Sequence, residues 1–362
     1  MTLPLPRPGI LEIAPYVGGK SHAPGGARVI KLSSNESALG PSPAAIEAYQ
    51  AQAAKLHRYP DGHANALREA IAEMQELEVA RLVCGAGSDE LIGLLVHAYA
   101  GEGDEVLYSE HGFLMYKIYA QSAGAVPVAA PERQLTADVD ALLARVTPRT
   151  RLVFIANPNN PTGSMISAGE MARLRQGLPE HVLLVIDAAY AEYVTDANYD
   201  PGTGLVNAGE NTVMLRTFSK AYGLPALRIG WGYVPPAVAD VLNRIRSPFN
   251  LSSAAIAAGA AAMRDQDHLR KAVAHNTLWR GRLTESLRAM GLRVRDSEGN
   301  FVLAEFPFAG PHSAASVNAF LLSRGIIVRE VGNYGLPHCL RITVGLKEEN
   351  EALLAALKTA LA

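Results

Sequence analysis

The sequence predicts an α/β protein whose large domain has a mostly parallel central sheet flanked by helices, followed by a smaller α+β domain. Short apolar runs alternate with helical patterns between residues 80 and 235, and this alternation stops near residue 262. The apolar runs lie at 81–84, 105–108, 151–155, 182–187 and 213–217. They are rich in Val, Ile and Leu, as is typical of strands buried on both faces of a parallel sheet. Helical patterns separate them, for example at 88–100 and 167–177, which is the order of the α/β class.

The residues after 262 have a different order of elements. A long helix is predicted at 264–290, and strands and helices then follow without strict alternation. Strands are predicted at 292–295, 300–306, 326–329 and 339–344, and helices at 313–324 and 347–361. We therefore expect three parts. They are an N-terminal arm at 1–40 that packs on the small domain and the functional site, a large ligand-binding domain at 41–262, and a small domain at 263–362.

The composition indicates a globular enzyme that binds neither nucleic acid nor membranes. The 362 residues include 33 basic and 35 acidic side chains, a formal net charge of −2, so no basic excess attracts polyanions. The N-terminus lacks a basic segment before an unbroken apolar run, and no apolar run approaches the roughly 18 residues of a membrane span. The two cysteines, Cys84 and Cys339, form no CxxC pair. We therefore expect no metal site or disulfide, and a cytoplasmic location.

Polar residues follow several predicted strands, at the sheet edge where open parallel sheets bind ligands. The first group is in CGAGSDEL (84–91), where Gly87, Ser88 and Asp89 open a helix. Free backbone N–H groups at such a helix start can bind a phosphate. An ordinary glycine turn before a capped helix is the alternative, and acidic side chains disfavour a phosphate unless they point away. The spacing fits neither the Rossmann fingerprint nor a Walker motif.

Two further motifs supply hydrogen-bond donors and a carboxylate. NPNNPTG (157–163) predicts a rigid turn that presents asparagine amides such as Asn160 in a fixed geometry, although a purely structural turn has the same composition. In VIDAAYAEY (185–193), Asp187 ends an apolar run, so we expect a desolvated carboxylate that needs a cationic or donor partner. Tyr190 lies three residues on and can face the same site. Taken alone, Asp187 fits the N-cap of a helix as well.

The fourth motif, RTFSKAYGLPALRIGW (216–231), contains a lysine directly after a strand. Thr217 and Ser219 precede Lys220 and Arg228 follows it; taken alone, an exposed or snorkelling lysine is the alternative. One sheet edge is thus predicted to carry an amine, a carboxylate, amide and phenol donors and a phosphate cradle. Together these groups fit pyridoxal 5′-phosphate (PLP), whose aldehyde forms a Schiff base with a lysine. We expect burial and Arg228 to lower the pKa of Lys220, which then accepts the proton removed from the substrate.

These motifs, together with CLRITVG (339–345), resemble those of the fold type I PLP-dependent aminotransferases and, within them, the histidinol-phosphate aminotransferases. The resemblance runs from about Tyr16 to the C-terminus. It implies that Lys220 holds PLP and moves the proton, that Asp187 pairs with the pyridine nitrogen, and that Asn160 and Tyr190 donate to the phenolic oxygen. It also implies a set of phosphate-binding residues: Gly87, Ser88, Asp89, Thr217, Ser219 and Arg228.

The resemblance further implies substrate-binding residues and an assembly. Arg341 would bind the α-carboxylate of glutamate and, in the other half-reaction, the substrate phosphate; Arg329 is a second candidate, because an arginine fork suits both groups. A surface salt bridge is the alternative for each arginine. Tyr16 and Asn35 match N-terminal residues that close over the substrate. Tyr59, in HRYPDG, matches a tyrosine that reaches the neighbouring subunit's site, which implies a homodimer.

Two departures from the family pattern bear on the site. Ala188 replaces the glutamate of the usual DEAY motif, which leaves the two neighbouring site residues in place. SEHGF (109–113) replaces a proline-containing loop. In it, Phe113 keeps a ring that can stack on the cofactor but lacks the usual hydroxyl, and His111 is either a substrate contact or a solvated loop residue. The changed loop bears on the shape of the side-chain pocket.

The predicted function is a ping-pong amino transfer between glutamate/2-oxoglutarate and histidinol phosphate/imidazole acetol phosphate, a reaction of histidine biosynthesis. An aromatic amino-acid aminotransferase would share every cofactor residue, and a PLP-dependent phosphothreonine decarboxylase would share the fold, so both stay open. A nicotinamide oxidoreductase is disfavoured, because the sequence lacks a G-x-G-x-x-G strand–helix unit. A PLP-sensing effector is disfavoured too, since the chain has no room for a DNA-binding module.

Overall fold

The computed structural model describes residues 5–7, 9–16, 18–20 and 29–362. In these ranges, strands β1–β15 are Ile30–Lys31, Leu82–Ala86, Glu105–Ser109, Val126–Ala130, Glu132–Arg133, Thr136–Ala137, Thr150–Ala156, Leu183–Asp187, Thr212–Thr217, Ile229–Tyr233, Arg293–Val294, Phe301–Glu305, Ile326–Ile327, Arg329–Val331 and Leu336–Thr343. Helices α1–α12 are Pro43–Gln50, Asn65–Gln75, Ser88–Tyr99, Met115–Ala123, Val139–Ala144, Ala168–Gly177, Thr203–Ala208, Pro236–Ile245, Ser253–Arg264, Gln266–Ala289, Ala314–Ser323 and Lys347–Ala360.

In the described ranges, the main sheet has seven strands in the order β2-β10-β9-β8-β7-β3-β4. Every strand runs in the same direction except β10, which is antiparallel to both neighbours. The prediction of a mostly parallel central sheet is confirmed, and the five predicted strands are β2, β3, β7, β8 and β9. Because these strands are parallel, their C-terminal ends meet at one edge. There Asp187 at the end of β8 lies in register with Ala156 of β7 and Leu215 of β9.

The alternation of side chains along the strands buries both faces of the main sheet. In β7, Leu152 and Phe154 belong to a hydrophobic cluster with α3, α4 and α8. Val153 and Ile155, which point to the opposite face, pack with α5 and α6. Continuous apolar runs therefore mark strands that are covered by helices on each side.

The sequence analysis did not predict strand β10. Its residues, IGWGY, contain two glycines, and glycine weakens a strand pattern. The structure shows why a glycine is needed here: a Cβ at Gly230 would overlap the backbone nitrogen of Ser88. The close approach of β10 to the start of α3 brings the strand's own N-terminal end next to the candidate site.

The C-terminal elements form a second core. In the described residues, its sheet has four antiparallel strands in the order β11-β12-β15-β14, and α10, α11 and α12 contribute to the same hydrophobic cluster. Leu32, from the N-terminal region, is buried in this cluster, and β1 pairs in parallel with β13. The predicted strand at 326–329 is divided into β13 and β14. No helix in the described ranges is long and apolar enough to cross a membrane.

Candidate active site

An open cavity lies at the C-terminal edge of the main sheet, beside the start of α3. Ten residues that the sequence predicted to bind a cofactor line it. They are Ser88, Asp89, Phe113, Asn160, Asp187, Tyr190, Thr217, Ser219, Lys220 and Arg228. Since they come from segments more than 100 residues apart in sequence and meet only at this edge, the cavity is the candidate active site.

Lys220 lies in the turn after β9, with its amine nitrogen 5.6 Å from the ring centroid of Tyr190. Burial, together with the smaller effects of the Arg341 and Arg228 charges, lowers the pKa of Lys220 to about 8. The predicted direction of the pKa shift is confirmed, but Arg341 contributes more than Arg228. A lysine with this pKa exposes a neutral amine at mildly basic pH, which is the form that attacks a carbonyl.

Asp187 is a buried carboxylate at the end of β8, with only 5% of its surface exposed. Its Oδ2 accepts a hydrogen bond of 2.8 Å from the hydroxyl of Tyr116. Its Oδ1 is buried and has no hydrogen-bond partner among the described residues. Burial raises the pKa of Asp187 to about 6, against the lowering effects of Tyr116 and Lys220. An unpartnered buried oxygen in a cavity is a place for a donor or cation from a ligand.

The start of α3 forms one wall of the cavity. Gly87 has a φ of 84°, and a Cβ there would overlap the guanidinium of Arg228, so this position requires glycine. Arg228 donates from Nη1 to Ser219 Oγ over 3.3 Å. The first backbone N–H groups of a helix have no intrahelical partner. Together with Ser219 and Arg228 they form a cradle suited to a phosphate.

The acidic residues in the first turn of α3 are bonded to groups outside the cradle. Glu90 accepts from the backbone nitrogen of Ala86 and from Asn250. Asp89 lines the cavity, and its Oδ2 accepts a 3.0 Å hydrogen bond from the hydroxyl of Tyr119. Burial raises the pKa of Asp89, which favours its neutral form and weakens repulsion of an anion.

The hydroxyl of Thr217 is engaged by the protein itself. It donates to the carbonyl of Ile229 over 3.3 Å and accepts from the backbone nitrogen of Ser219 over 3.1 Å. Thr217 therefore shapes the turn that carries Lys220. Its predicted phosphate contact stays a prediction.

A hydrogen-bond network joins the cavity to the N-terminal segment. The Nδ2 of Asn35 donates to the hydroxyl of Tyr190 over 2.9 Å, which leaves the Tyr190 proton available for another acceptor. Arg341 donates to Oδ1 of Asn160 and, over 2.8 Å, to the carbonyl of Ser33. Asn35, predicted to bind substrate, is 1% exposed and contacts Tyr190. Its position makes it a partner of a predicted cofactor contact.

The remaining predicted residues lie around this centre. Arg329 of β14 is in register with Arg341 of β15, so the two guanidinium groups lie on the same face of the small sheet. Tyr16 is 50% exposed. Tyr59 is 84% exposed, stacks on Phe249 at 4.8 Å and does not line the cavity of its own chain. The roles predicted for these residues stay predictions.

His111 is not the solvated loop residue that the sequence allowed as one alternative. It is buried, and its Nδ1 lies 2.9 Å from Oε2 of Glu132. Burial lowers the pKa of His111, but the hydrogen bond and charge of Glu132 raise it more, so the net shift is upward. Glu132 and Tyr116 were both missed by the sequence analysis. Each contacts its partner through the tertiary structure, and no local motif marks either residue.

In the described residues, a lysine and an aspartate line one cavity at the C-terminal edge of a mostly parallel seven-stranded sheet. This combination of fold and site is that of the fold type I aminotransferases. Residues 27–357 match the family described as aminotransferase class I and II. The chain therefore belongs to this family.

Named relatives cover almost the whole chain. It is 58% identical to the histidinol-phosphate aminotransferase of Rhodospirillum centenum, over 99% of this chain and 98% of that protein. It is 56% identical to the enzyme of the same name from Paramagnetospirillum magneticum, over 99% of each chain. Among solved structures, the histidinol-phosphate aminotransferase from Sinorhizobium meliloti in complex with pyridoxal-5′-phosphate has a TM-score of 0.90 and 30% identity, covering 99% of this chain and 98% of that one.

The residues of the cavity fit PLP chemically. The buried Oδ1 of Asp187 has no partner in the described part of the chain and suits a protonated pyridine nitrogen. The cradle that a Cβ at Gly87 would fill suits a phosphate. Lys220, with its lowered pKa, suits an aldehyde. Within the described residues, no group of three His, Cys, Asp or Glu side chains is arranged to hold a metal ion.

Proposed function

We propose that this protein is a PLP-dependent aminotransferase that moves an amino group between glutamate/2-oxoglutarate and histidinol phosphate/imidazole acetol phosphate, in histidine biosynthesis. The observation that carries the proposal is one cavity that holds both the Lys220 amine and the unpartnered oxygen of Asp187. The substrate is supported by relatives of that name at 56% and 58% identity.

When bound, PLP supplies an aldehyde that condenses with amines and a ring that accepts the electrons released at the substrate Cα. Lys220 is the amine that would hold the cofactor, and its nitrogen would accept and return the proton removed from the substrate Cα. Asp187 keeps the pyridine nitrogen protonated through Oδ1. Tyr190 and the amide nitrogen of Asn160 donate to the phenolic oxygen.

The phosphate is held at the start of α3. Ser88 and Asp89 contribute backbone N–H groups, and Ser219 and Arg228 contribute side-chain donors. These fixed donors favour a dianion without moving. Gly87 shapes the backbone there, since its own N–H donates to the carbonyl of Gly85 over 2.8 Å. The ring of Phe113, which also lines the cavity, would stack on the cofactor.

Two arginines account for a substrate that carries a carboxylate in one half-reaction and a phosphate in the other. Arg341 and Arg329 are opposite each other in the β14–β15 pair, and a guanidinium binds either oxyanion through two donors. Tyr16 covers the substrate from the N-terminal side. Asn35 closes over the substrate from the same segment and also donates to Tyr190.

The assembly, domains and location belong to the same proposal. Each active site is completed by Tyr59 from the other subunit of a homodimer. The arm at 1–40 and the small domain at 263–362 cover a site on the large domain at 41–262, in support of which Leu32 is buried among small-domain residues. The enzyme acts in the cytoplasm on small molecules.

The proposal is tested with purified protein by two measurements. Borohydride reduction in the presence of PLP should attach the cofactor to Lys220, as read by peptide mass spectrometry, and Lys220→Ala should reduce turnover by orders of magnitude. Steady-state kcat/KM is then compared for histidinol phosphate, phenylalanine and tyrosine with 2-oxoglutarate as acceptor.

The outcome of these measurements assigns the protein to one enzyme class. A higher kcat/KM for histidinol phosphate supports the proposal. Preference for phenylalanine or tyrosine would make it an aromatic aminotransferase, and release of CO₂ from phosphothreonine without an amino acceptor would make it a decarboxylase. If Lys220 remains unlabelled and no amino transfer occurs, the proposed function is wrong.

A further inference from the structure

A tyrosine with no role in the proposed function forms a hydrogen bond with the carboxylate of Asp187. Tyr116 lies in α4, and its hydroxyl donates to Oδ2 of Asp187 over 2.8 Å. Tyr116 is 0% exposed and Asp187 is 5% exposed. The two residues are 71 positions apart, so this bond joins α4 to the end of β8 inside the large core.

The ring of Tyr116 is fixed in direction by two other rings. It stacks on Phe154 with 4.7 Å between centroids and 14° between planes. It meets Phe113 edge to face at 5.9 Å and 87°. Because Phe154 belongs to β7 and Phe113 lines the cavity, the Tyr116 hydroxyl has one position relative to both the sheet and the site.

The carboxylate of Asp187 is consequently held at one oxygen only. With Oδ2 bound to Tyr116, rotation about the last side-chain bond is restricted. The free Oδ1 has no partner among the described residues, and Asp187 lines the cavity. The backbone is fixed as well, since the Asp187 carbonyl accepts from the backbone nitrogen of Asn157 over 3.0 Å.

We propose that Tyr116 is a positioning residue that fixes the rotation of Asp187 so that Oδ1 faces the pyridine nitrogen of the cofactor. This inference rests on the proposed function, because it requires PLP in the cavity. The hydroxyl also stabilises the ionised carboxylate, since its hydrogen bond lowers the pKa of Asp187 against the effect of burial. Without it, Oδ2 would lose the hydroxyl that fixes its position.

The test compares two ligands that differ at the pyridine nitrogen. Dissociation constants of PLP and of 1-deazapyridoxal 5′-phosphate, in which C–H replaces that nitrogen, are measured by absorbance titration of the apoprotein. For Tyr116→Phe, we expect the PLP constant to rise roughly 10- to 100-fold, as for loss of a hydrogen bond to a charged group. The constant for the deaza analogue should change little, because that ligand has no nitrogen for Asp187 to pair with.

Tyr108→Phe is the matched control. Tyr108 is 8% exposed and its ring lies 6.4 Å from that of Tyr116, but its hydroxyl makes no hydrogen bond in the described part of the chain. We expect this variant to keep the wild-type ratio of the two constants. The ratio is insensitive to a partial loss of folded protein, which affects both ligands equally.

Each possible result of these titrations supports or overturns the role proposed for Tyr116. An equal loss for both ligands, no loss for either, or failure of Tyr116→Phe to fold would assign Tyr116 to the core and overturn the inference. The two dissociation constants of the wild-type protein test the proposed function separately. If it binds PLP no better than the deaza analogue, the pairing of Asp187 with the pyridine nitrogen is wrong. If it does not bind PLP at all, the proposed function fails.

Discussion

At the scale of single residues, the site holds an acid and a base whose pKa values have moved toward each other. Burial raises the pKa of Asp187 to about 6 and lowers that of Lys220 to about 8. Both shifts have the same cause, because removal from water disfavours whichever form is charged. Folding therefore stabilises neither charge by itself. A ligand that pairs with Asp187 and consumes the amine of Lys220 relieves both penalties.

The raised pKa of Asp187 predicts how the stability of the apoprotein depends on pH. The ordinary value is 3.8 and the folded value about 6, so between about pH 4 and 6 the folded state binds more protons than the unfolded state. The free energy of unfolding then falls as pH rises through this window, by up to about 3 kcal/mol from this group. Urea unfolding of the apoprotein at several pH values measures it.

Asp187→Asn serves as the reference for that measurement, since an amide does not titrate. We expect the difference in unfolding free energy between the variant and the wild type to grow from pH 4 to 6 and then to level off. Lys220 stays protonated throughout this window and does not contribute to the slope. Parallel curves for the two proteins would show that Asp187 has an ordinary pKa in the folded state.

At the scale of elements, the loop between β3 and α4 is held by one carboxylate. Glu132 accepts from the Ser109 hydroxyl, from the backbone nitrogen of His111 over 3.1 Å and from the His111 ring over 2.9 Å. This loop includes Phe113, which lines the cavity. The loop contains no proline to stiffen it, and these hydrogen bonds to Glu132 hold it instead.

We predict that Glu132→Gln lowers the free energy of unfolding by about 2 kcal/mol near pH 6, because charge-assisted hydrogen bonds are lost. The raised pKa of His111 adds a pH dependence. The contribution of the pair is fully present below the unfolded pKa of about 6.5 and is lost as pH rises through the folded pKa. Thermal or urea unfolding between pH 5.5 and 8.5 would measure both effects.

Glu110→Gln is the control for this prediction. Glu110 lies in the same loop but is exposed, so the substitution removes the same charge without breaking the network. We expect its unfolding free energy to stay within about 0.5 kcal/mol of wild type. Equal effects of the two substitutions would mean that Glu132 acts only through long-range charge.

At the scale of the whole molecule, the sequence predicted the strands and the site edge because these depend on local patterns. The apolar runs at 151–155 and 182–187 are strands because both faces are buried, and Asp187 and Lys220 could be placed by the strand ends they follow. Strand β10 could not be predicted, since Gly230 is required by a contact with Ser88. Tyr116 was missed for a related reason: its partner is 71 residues away.

The exposed Tyr59 indicates how two molecules would assemble. It is 84% exposed and stacks on Phe249, which is 49% exposed. Large aromatic side chains left in solvent together mark an interaction surface. A tyrosine that completes the partner's site in a homodimer accounts for this exposure. A tyrosine that acts within its own chain does not, because Tyr59 lines no part of that chain's cavity.

Mixing two variants, one with weakened PLP binding and one without the amine, tests this arrangement. Tyr59→Ala removes the proposed contact to the neighbouring site and should weaken PLP binding about 10-fold, while Lys220→Ala removes the amine. In a mixed dimer, the Lys220 of the first chain faces the intact Tyr59 of the second, so one complete site forms. We expect tight PLP binding and amino transfer to return after the variants are unfolded and refolded together.

The control is a chain that carries both substitutions, mixed with Lys220→Ala. This mixture forms no complete site, because neither chain has Lys220. If the first mixture binds PLP no more tightly than Tyr59→Ala alone, although mixed dimers are detected by native mass spectrometry, Tyr59 does not act across the interface.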